Sequence, residues 1–296
     1  MENSKIGWTD HTWNLWTGCT HAKHFDGSPR PACGRCYAEA WAKRTGGVTQ
    51  PPLCEWGDDK PRHRTADSIW QLPRKWNRKA KETGRRMNVF VNSLSDFFDI
   101  ADSRTHNWRA EGLKIMGDCE NLNFLLLTKR IDLAPHCLSQ SLPPEWGGKL
   151  KKNIWLGITV ENQQAFDEQW PIHKHVGKIY QPGLLFFSME PLFENVNIRP
   201  ALSFQSPDKS EMKLGWAIVG GESGSGATET KVENLASIAE QCQLHSTPVF
   251  VKQLGARPTL AGCKVLIGDT KGENPIDFPY PLSNYPRQFP EGAFTL

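Results

Sequence analysis

Short apolar runs recur along the chain, and each of them ends in polar residues. The six clearest runs are MNVFVNSLSD (87–96), NFLLLTKR (123–130), NIWLGITVEN (153–162), LLFFSMEPL (184–192), GWAIVGGESG (215–224) and TPVFVKQLG (247–255). Near-continuous apolar strands at a spacing of ~30 residues are typical of a parallel sheet that is buried on both faces. With TWNLWTGC (12–19) as a candidate first strand, the pattern predicts six or seven repeats of a strand followed by a helix.

Such repeats build either a (β/α) barrel, full or partial, or a doubly wound open sheet. The polar residues at the strand ends favour the barrel, because a barrel gathers its chemistry at the carboxyl ends of many strands, whereas an open sheet concentrates it at one crevice. We therefore predict an α/β barrel over residues 1–255. The tail at 256–296, which holds several prolines and one candidate short strand, KVLIG (264–268), is expected to cap the barrel.

The composition adds limits on location and partners. No apolar run approaches the ~20 residues of a membrane span, so we expect no membrane association. The N-terminus, MENSKIGWTDHTWN, lacks the basic start and apolar stretch of a secretory signal, which favours a cytoplasmic, thiol-preserving location. The formal charge of +3, from 35 basic and 32 acidic side chains, does not by itself indicate nucleic-acid binding.

One stretch is more basic than the rest. Residues 60–86 contain ten lysines and arginines, with Trp70 and Trp76 interleaved. Such a surface can contact phosphates and offer aromatic rings for stacking, as single-stranded nucleic-acid binding requires. The alternative is a solvated helix surface, which most charge runs are.

Three cysteines near the N-terminus, Cys19, Cys33 and Cys36, carry the strongest chemical signal. The C-x-x-C pair can aim two sulfurs at one metal, and Cys19 can fold back onto them from the end of the first strand. Three interpretations compete: a disulfide network, a structural zinc, or an iron–sulfur cluster with one iron left open. A structural zinc needs a fourth ligand, for which the candidates are His21, His24 and Cys54.

The wider series of motifs resembles a known family. TWNLWTGC, C-x-x-C-YAE, NSLSD, LLLTKR, IWLGITVEN, SMEPL, IVGGESG and FVKQLG follow one another over residues 6–255. A barrel with a cysteine loop after its first strand resembles the radical S-adenosylmethionine (SAM) superfamily. The series is more closely similar to the phage- and plasmid-associated three-cysteine-motif family of radical-SAM-like proteins. The resemblance implies a radical-SAM-like, TIM-like (β/α) barrel of six to seven parallel strands.

The resemblance also implies a chemistry. Cys19, Cys33 and Cys36 would ligate a [4Fe-4S] cluster whose open iron binds SAM, and an external electron donor would drive formation of a 5′-deoxyadenosyl radical. This chain departs from the common C-x3-C-x2-C pattern, because 13 residues separate its first two cysteines. It also has Arg35 where an aromatic residue usually precedes the third cysteine. Tyr37, just after that cysteine, is the candidate for packing on adenine.

Polar residues at the later strand ends are the remaining candidates for binding SAM. Carboxylates can accept from its ammonium and ribose groups, glycines let a ligand approach the backbone, and lysines can bind its carboxylate or a substrate phosphate. The predicted cofactor-binding residues are Asp96, Glu190, Gly220, Gly221, Glu222, Lys129 and Lys252, together with Tyr37. The alternative for the basic groups is a salt bridge to Glu161 or Glu190 that holds the barrel together. No catalytic residue is assigned.

Three functions follow from these signals. The first is a radical SAM enzyme acting on an unknown substrate, for which a nucleic acid or nucleotide and a partner protein are candidates. The second is a non-catalytic nucleic-acid-binding protein with a structural zinc at the same cysteines. A metal-dependent barrel hydrolase is disfavoured, because the histidines are scattered through loops rather than clustered at strand ends.

Overall fold

The computed structural model describes residues 1–46, 54–203, 212–285 and 287–296. Its main sheet has seven strands, which we number in chain order. They are β1 (His11–Trp13), β2 (Met87–Val91), β3 (Leu122–Thr128), β4 (Ile154–Thr159), β5 (Leu184–Met189), β6 (Trp216–Gly220) and β7 (Val249–Gln253). The strand order in the sheet is β1-β2-β3-β4-β5-β6-β7.

Helices alternate with these strands along the chain. The longer ones are α1 (Leu72–Thr83), α2 (Thr105–Asp118), α3 (Ala134–Ser141), α4 (Gln163–Tyr180) and α5 (Val232–Leu244). Short α-helical segments lie at Pro31–Gly34, Tyr37–Trp41, Asp67–Trp70 and Arg199–Leu202, and a π-helical turn covers Ala42–Gly46. Short 3-10 turns lie at Ile131–Leu133, Pro144–Trp146, Pro275–Asp277 and Leu282–Asn284. The predicted α/β class with six to seven parallel strands is confirmed, and helical structure follows each strand except β7, which leads into the strand Pro258–Leu260.

The chain divides into two compact units. The first comprises residues 1–158, 175–184 and 291–296. In it β1 pairs with β2, β2 with β3 and β3 with β4, all in parallel, with Trp13 opposite Val91 and Val91 opposite Leu126. Parallel pairing brings the carboxyl ends of these strands to one edge of the sheet, where the candidate site of this unit lies.

The second unit comprises residues 159–174 and 185–290. In it β5 pairs with β6 and β6 with β7, again in parallel. A small separate sheet joins Thr230–Lys231, Pro258–Leu260 and Cys263–Lys264. The strand predicted at 264–268 was therefore wrong beyond its first residue, because the chain leaves the small sheet after Lys264.

Candidate functional site

Cys19 follows a short strand, Trp16–Thr17, that leaves the main sheet and pairs antiparallel with His63–Arg64. Gly18 makes the turn between this strand and the cysteine, with φ at +95°. A Cβ on Gly18 would lie 2.6 Å from the backbone oxygen of Glu55, so both the backbone conformation and the available space require glycine. Cys19 is thereby set in a fixed, buried position.

The backbone around Cys19 is held by the segment that follows residue 54. Gly57 N donates to the carbonyl oxygen of Cys19 over 3.0 Å, and Cys19 forms a β-bridge with Trp56. The Arg62 guanidinium donates to Thr20 Oγ1 over 2.7 Å, next to the cysteine. These contacts tie the loop to the segment at 56–62.

Arg62 is itself anchored by a buried ion pair. Its Nε lies 2.8 Å from Asp99 Oδ2, and the two side chains are 0% and 3% exposed. Such a pair is stable only when further hydrogen bonds satisfy the remaining donors. Arg62 meets this condition through the carbonyl oxygens of Gly57 and Lys60, at 3.1 and 2.7 Å.

Arg130 places a positive charge directly beside the Cys19 sulfur. Its Nη1 lies 3.7 Å from Cys19 Sγ and 3.1 Å from Asp96 Oδ2, and its Nη2 donates to the Thr20 carbonyl oxygen. Burial lowers the pKa of Arg130, but the nearby charges of Cys19 and Asp96 outweigh it, so the net pKa is raised. Burial raises the pKa of the Cys19 thiol to about 12, and the charge of Arg130 opposes this shift.

The long insertion between Cys19 and Cys33 is an ordered hairpin. Lys23 and Pro29 form an antiparallel bridge, and His24 N donates to Ser28 O over 2.8 Å. At the base of the stem, Arg30 N donates to Ala22 O over 3.2 Å. The chain therefore returns to its starting point before it reaches the C-x-x-C pair.

Cys33 and Cys36 lie on the turn after this hairpin. Cys33 belongs to the short helix Pro31–Gly34, Cys36 caps Tyr37–Trp41, and Cys36 N donates to Cys33 O over 3.2 Å. The Tyr37 hydroxyl donates to the Ser93 carbonyl oxygen over 2.7 Å, just beyond the end of β2. The C-x-x-C turn is thus tied to the carboxyl edge of the sheet in this unit.

The cysteines share one electrostatic neighbourhood. The charges of Cys19 and Cys33 both raise the pKa of Arg130. The charge of Cys36 raises the pKa values of Cys19 and Cys54. Burial is the larger cause at Cys54, whose pKa rises to about 11, and hydrogen bonds from Thr17 and Gly18 oppose it. All eight cysteines are free thiols, so the structure contains no disulfide network.

These residues fit the donor set of a thiolate-bound iron–sulfur cluster. Sulfur ligands of this kind carry negative charge, and Arg130 offers a buried cation to balance it. Within the part of the chain that the structure describes, no three His, Cys, Asp or Glu side chains already lie in metal-holding geometry.

Asp96 and Lys129, two predicted cofactor residues, lie beside this cysteine loop. Asp96 accepts from Thr128 Oγ1, Lys129 N, Arg130 Nη1 and Phe98 N at 2.7, 3.1, 3.1 and 3.0 Å. Four hydrogen bonds fill the lone-pair positions of a carboxylate. In this structure Asp96 joins the ends of β2 and β3 and supports Arg130, while the Lys129 side chain is half-buried.

Five of the predicted cofactor residues lie in the second unit. Lys252 Nζ is 2.9 Å from Glu190 Oε1, which is the salt bridge that the alternative interpretation named. A Cβ on Gly220 would lie 3.1 Å from the same Glu190 oxygen, and a Cβ on Gly221 would lie 2.2 Å from Leu254 O. The closeness at Gly221 therefore serves packing of the chain on itself.

Glu222, which follows this glycine pair, is also engaged within its own loop. Its Oε2 accepts from Thr228 N and Thr228 Oγ1, at 2.7 and 2.8 Å. The second unit thus brings Glu190, Lys252 and Gly220 together at the ends of β5, β6 and β7. Glu222 instead closes the loop that leads to the small sheet.

Sequence reasoning missed the buried arginine–aspartate supports of the cysteine loop. The aspartates stand three residues apart after β2, in the run SDFFDIAD, and each meets an arginine. The two buried pairs are Asp96 with Arg130 and Asp99 with Arg62, whereas Asp102 pairs with Arg104, whose side chain is 57% exposed. Regular aspartates after a strand end were the available signal, although the partners of the two buried pairs lie 34 and 37 residues away in the sequence.

The basic stretch at 60–86 separates into two groups. Arg62 is buried and cannot reach a nucleic acid, and several others form ion pairs: Arg64 with Asp67 and Glu111, Lys75 with Glu2, and Arg85 with Asp10. Three exposed cations of α1 have no ion pair among the described residues: Arg78, Lys79 and Lys81. Only this second group forms a basic surface.

The parallel fold and the free cysteines at its edge define an α/β protein with a candidate metal-binding thiol loop. The chain belongs to the family described as "Protein of unknown function (DUF5131)", whose model matches residues 3–271. A comparison with curated proteins gave no match. None of the described helices combines the length and apolar composition needed to cross a membrane.

A comparison with solved structures found similarity to "Spore photoproduct lyase complexed with dinucleoside spore photoproduct". The sequence identity is 12% and the TM-score is 0.47. The match covers 81% of this chain and 62% of that chain, so this chain spans less than two thirds of its length.

Proposed function

We propose that this protein is a radical-SAM-like enzyme of a phage- and plasmid-associated family. Cys19, Cys33 and Cys36 would hold a [4Fe-4S] cluster, and SAM would be the second cofactor. When bound, this pair supplies a 5′-deoxyadenosyl radical to a substrate that is not identified, with a nucleic acid or nucleotide as the candidate. An external electron donor and a thiol-preserving compartment such as the cytoplasm are required.

One observation carries the proposal. The buried Cys19 thiol faces the Arg130 guanidinium at the carboxyl edge of a parallel sheet, and the C-x-x-C turn lies in the same electrostatic neighbourhood. A buried cation beside a thiolate supports a thiolate-bound metal centre, and the metal analysis below separates iron from zinc. Three thiolates around an iron–sulfur cluster leave a net negative charge, which a buried cation stabilises.

The chain's own residues have distinct roles in this proposal. Arg130 balances the charge on Cys19, while Asp96 orients Arg130 through its 3.1 Å contact. Trp16 and Phe97, fully buried with ring centroids 6.0 Å apart, help to keep water from this edge. Tyr37 and Lys129 are the proposed contacts for adenine and for the SAM carboxylate in the first unit.

The second unit holds the other residues that were predicted to bind SAM. Glu190 is the proposed acceptor for its ammonium group, with Lys252 as a counter-charge at 2.9 Å. Gly220, Gly221 and Glu222 complete the predicted set. Of these, Gly220 borders Glu190 directly.

The test is metal analysis of anaerobically reconstituted protein. We expect about four irons and four sulfides per chain, a broad visible absorbance, and loss of both in Cys19→Ala, Cys33→Ala and Cys36→Ala. Cys263→Ala is the matched control, because Cys263 is exposed and distant in sequence from the loop. Reductant and SAM should then release 5′-deoxyadenosine from the wild-type protein. A clustered protein that never releases it would refute the enzymatic activity.

The second candidate function is nucleic-acid binding with a structural zinc. It is favoured by the unpaired cations of α1, and by Cys54, a fourth thiol whose pKa is raised in part by the charge of Cys36. It predicts one zinc and no iron per chain. The same metal analysis therefore separates the two functions.

A further inference from the structure

A cavity of about 420 Å³ opens at the amino edge of the sheet in the first unit. Among its lining residues, Arg86 immediately precedes β2 and Asn153 immediately precedes β4, while Asn123 and Leu184 lie at the start of β3 and β5. The volume is within the range of small-molecule sites. The cysteine loop lies at the carboxyl edge, so the proposed function makes no use of this cavity.

Backbone contacts hold the walls of the cavity in place. On one side, Arg86 N donates to Phe294 O over 3.2 Å, and Arg86 Nε donates to Thr295 O over 3.0 Å. On another side, a Cβ on Gly183 would lie 1.7 Å from the Lys152 carbonyl oxygen, so the two chain segments are packed as closely as glycine allows. The cavity is therefore preformed, as small-molecule sites usually are.

Two buried asparagines offer hydrogen-bond acceptors to the cavity. Asn123 and Asn153, 2% and 9% exposed, both line it. Their Nδ2 groups donate to a neighbouring asparagine oxygen or to backbone carbonyl oxygens, at 2.9 to 3.3 Å. Among the described residues, none donates to the Oδ1 atom of either asparagine. Glu120 and Glu291 add exposed carboxylate oxygens, so this lining suits a ligand with several hydroxyl donors.

Three cations line the same cavity, and each of them contacts only neutral groups among the described residues. Arg86 donates to two backbone carbonyl oxygens through Nε and Nη1. Lys152 Nζ donates to Gln181 O over 3.1 Å, and Lys151 Nζ lies 5.5 Å from the centre of the Trp146 ring. Arginine has five N–H donors and lysine has three, so all three cations keep donors for a ligand.

We propose that this cavity binds a sugar phosphate, either free or as part of a mononucleotide. Arg86, Lys151 and Lys152 bind the phosphate, whose charge of roughly −1.5 to −2 at pH 7 matches charge-assisted donors. The asparagine and glutamate oxygens accept from the sugar hydroxyls. A site for a simple anion would gain nothing from carboxylates in its lining, whereas a sugar needs such acceptors. This inference goes beyond the proposed function and does not depend on it.

The test is isothermal titration calorimetry of the full chain at fixed ionic strength. Ribose 5-phosphate and glucose 6-phosphate represent free sugar phosphates, and AMP represents a mononucleotide. We expect at least one of the three to bind, and the tightest of them identifies the source of the sugar phosphate. Ribose and inorganic phosphate each lack one half of that chemistry, so they should bind at least about tenfold more weakly. Binding by none of the three, or equally tight binding of ribose or of inorganic phosphate, would overturn the proposal.

Lys151→Gln/Lys152→Gln places the bound phosphate in this cavity. The double variant loses charge-assisted hydrogen bonds, so the tightest probe should bind it at least about tenfold more weakly than the wild type. Lys149→Gln is the matched control, because Lys149 is an exposed lysine of the same segment that is not among the cavity's lining residues. Its affinity should stay within about twofold of the wild type, since solvent and salt screen an exposed charge. Unchanged binding by the double variant, or equal weakening in the control, would overturn the proposal.

Thermal unfolding midpoints of the unliganded variants are measured on the same samples. All three substituted lysines are exposed, so the midpoints should match that of the wild type. The comparison among probes uses only the wild-type chain, so it decides the question even if a variant fails to fold. Iron content does not enter either comparison, and failure of the proposed function would leave this result standing.

Discussion

Arg62→Met tests whether the buried ion pair holds the cysteine loop. The substitution keeps a long unbranched side chain but removes the guanidinium, which contacts Asp99, Gly57 O, Lys60 O and Thr20 Oγ1 within 3.1 Å. The Asp99 carboxylate, 3% exposed, would then be a buried charge without its partner. Removing one member of a buried pair costs about 3–5 kcal/mol, so we expect a loss of that size in the free energy of unfolding.

The assay is urea unfolding at pH 7, followed by tryptophan fluorescence. Arg62→Met/Asp99→Leu should cost less than the sum of the two single substitutions, because the double variant leaves no orphaned charge. Arg78→Met is the matched control. Arg78 is exposed on α1, so the same substitution there should change the free energy of unfolding by less than about 0.5 kcal/mol.

The link to the cysteine loop is read separately from stability. Alkylation of Cys19, followed by mass spectrometry of its peptide, should be faster in Arg62→Met than in the wild type under native conditions. The Thr20 contact that holds the loop would be lost in that variant. A loss of less than about 1 kcal/mol, with an unchanged alkylation rate, would refute the view that this pair positions Cys19.

Three further predictions concern the loop, the core and the surface. In urea titrations, Gly18→Ala should lower the free energy of unfolding by more than Gly84→Ala does. Both glycines have a positive φ, but only at Gly18 would a Cβ approach a backbone atom, at 2.6 Å. Burial lowers the pKa of His11 to about 4, below the ~6.5 expected in the unfolded chain. Roughly 3 kcal/mol of stability should therefore be present above pH 6.5 and be lost as the pH falls to 4. His11→Asn should abolish this dependence of the free energy of unfolding on pH. The basic surface consists of Arg78, Lys79 and Lys81. If nucleic acid binds there, neutralising these three cations should reduce the slope of log K for binding against log[salt] by about two.

Each of these predictions has a result that contradicts it. Equal losses at Gly18 and Gly84 would show that the Glu55 carbonyl moves aside freely. A pH slope that persists in His11→Asn would assign the titration to another group. A salt slope that falls equally after neutralising Lys149, Lys151 and Lys152, which are also exposed, would show that net charge rather than this surface governs binding.

The strands were predictable because their apolar runs are sharply bounded. The predicted run at 184 and the observed β5 both begin at Leu184, and β2 begins at Met87 as predicted. The first strand was less accessible to sequence reasoning. Its predicted run splits into β1 and Trp16–Thr17, because the second piece pairs with a segment about 46 residues further along. Local periodicity carries no information about such a partner.

The site was predictable only in part, for a related reason. Spacing identified Cys33 and Cys36 as a pair, and the strand-end position suggested Asp96. Whether Asp96 is available to a ligand depends on Thr128 and Arg130, which approach it from the next strand. Hydrogen bonds between side chains that are distant in sequence decide which polar residues support a site and which can face a ligand.

The stem of the hairpin between Cys19 and Cys33 is antiparallel, so its two ends are close in space although they are separated in the sequence. Since Arg30 N meets Ala22 O, residues added or removed at the tip change the spacing of the motif while the ends of the stem stay together. A pattern search that fixes the interval between the first two cysteines will overlook relatives whose hairpins differ in length. Aligning such chains on the paired stem residues, with a free gap at the tip, should recover them.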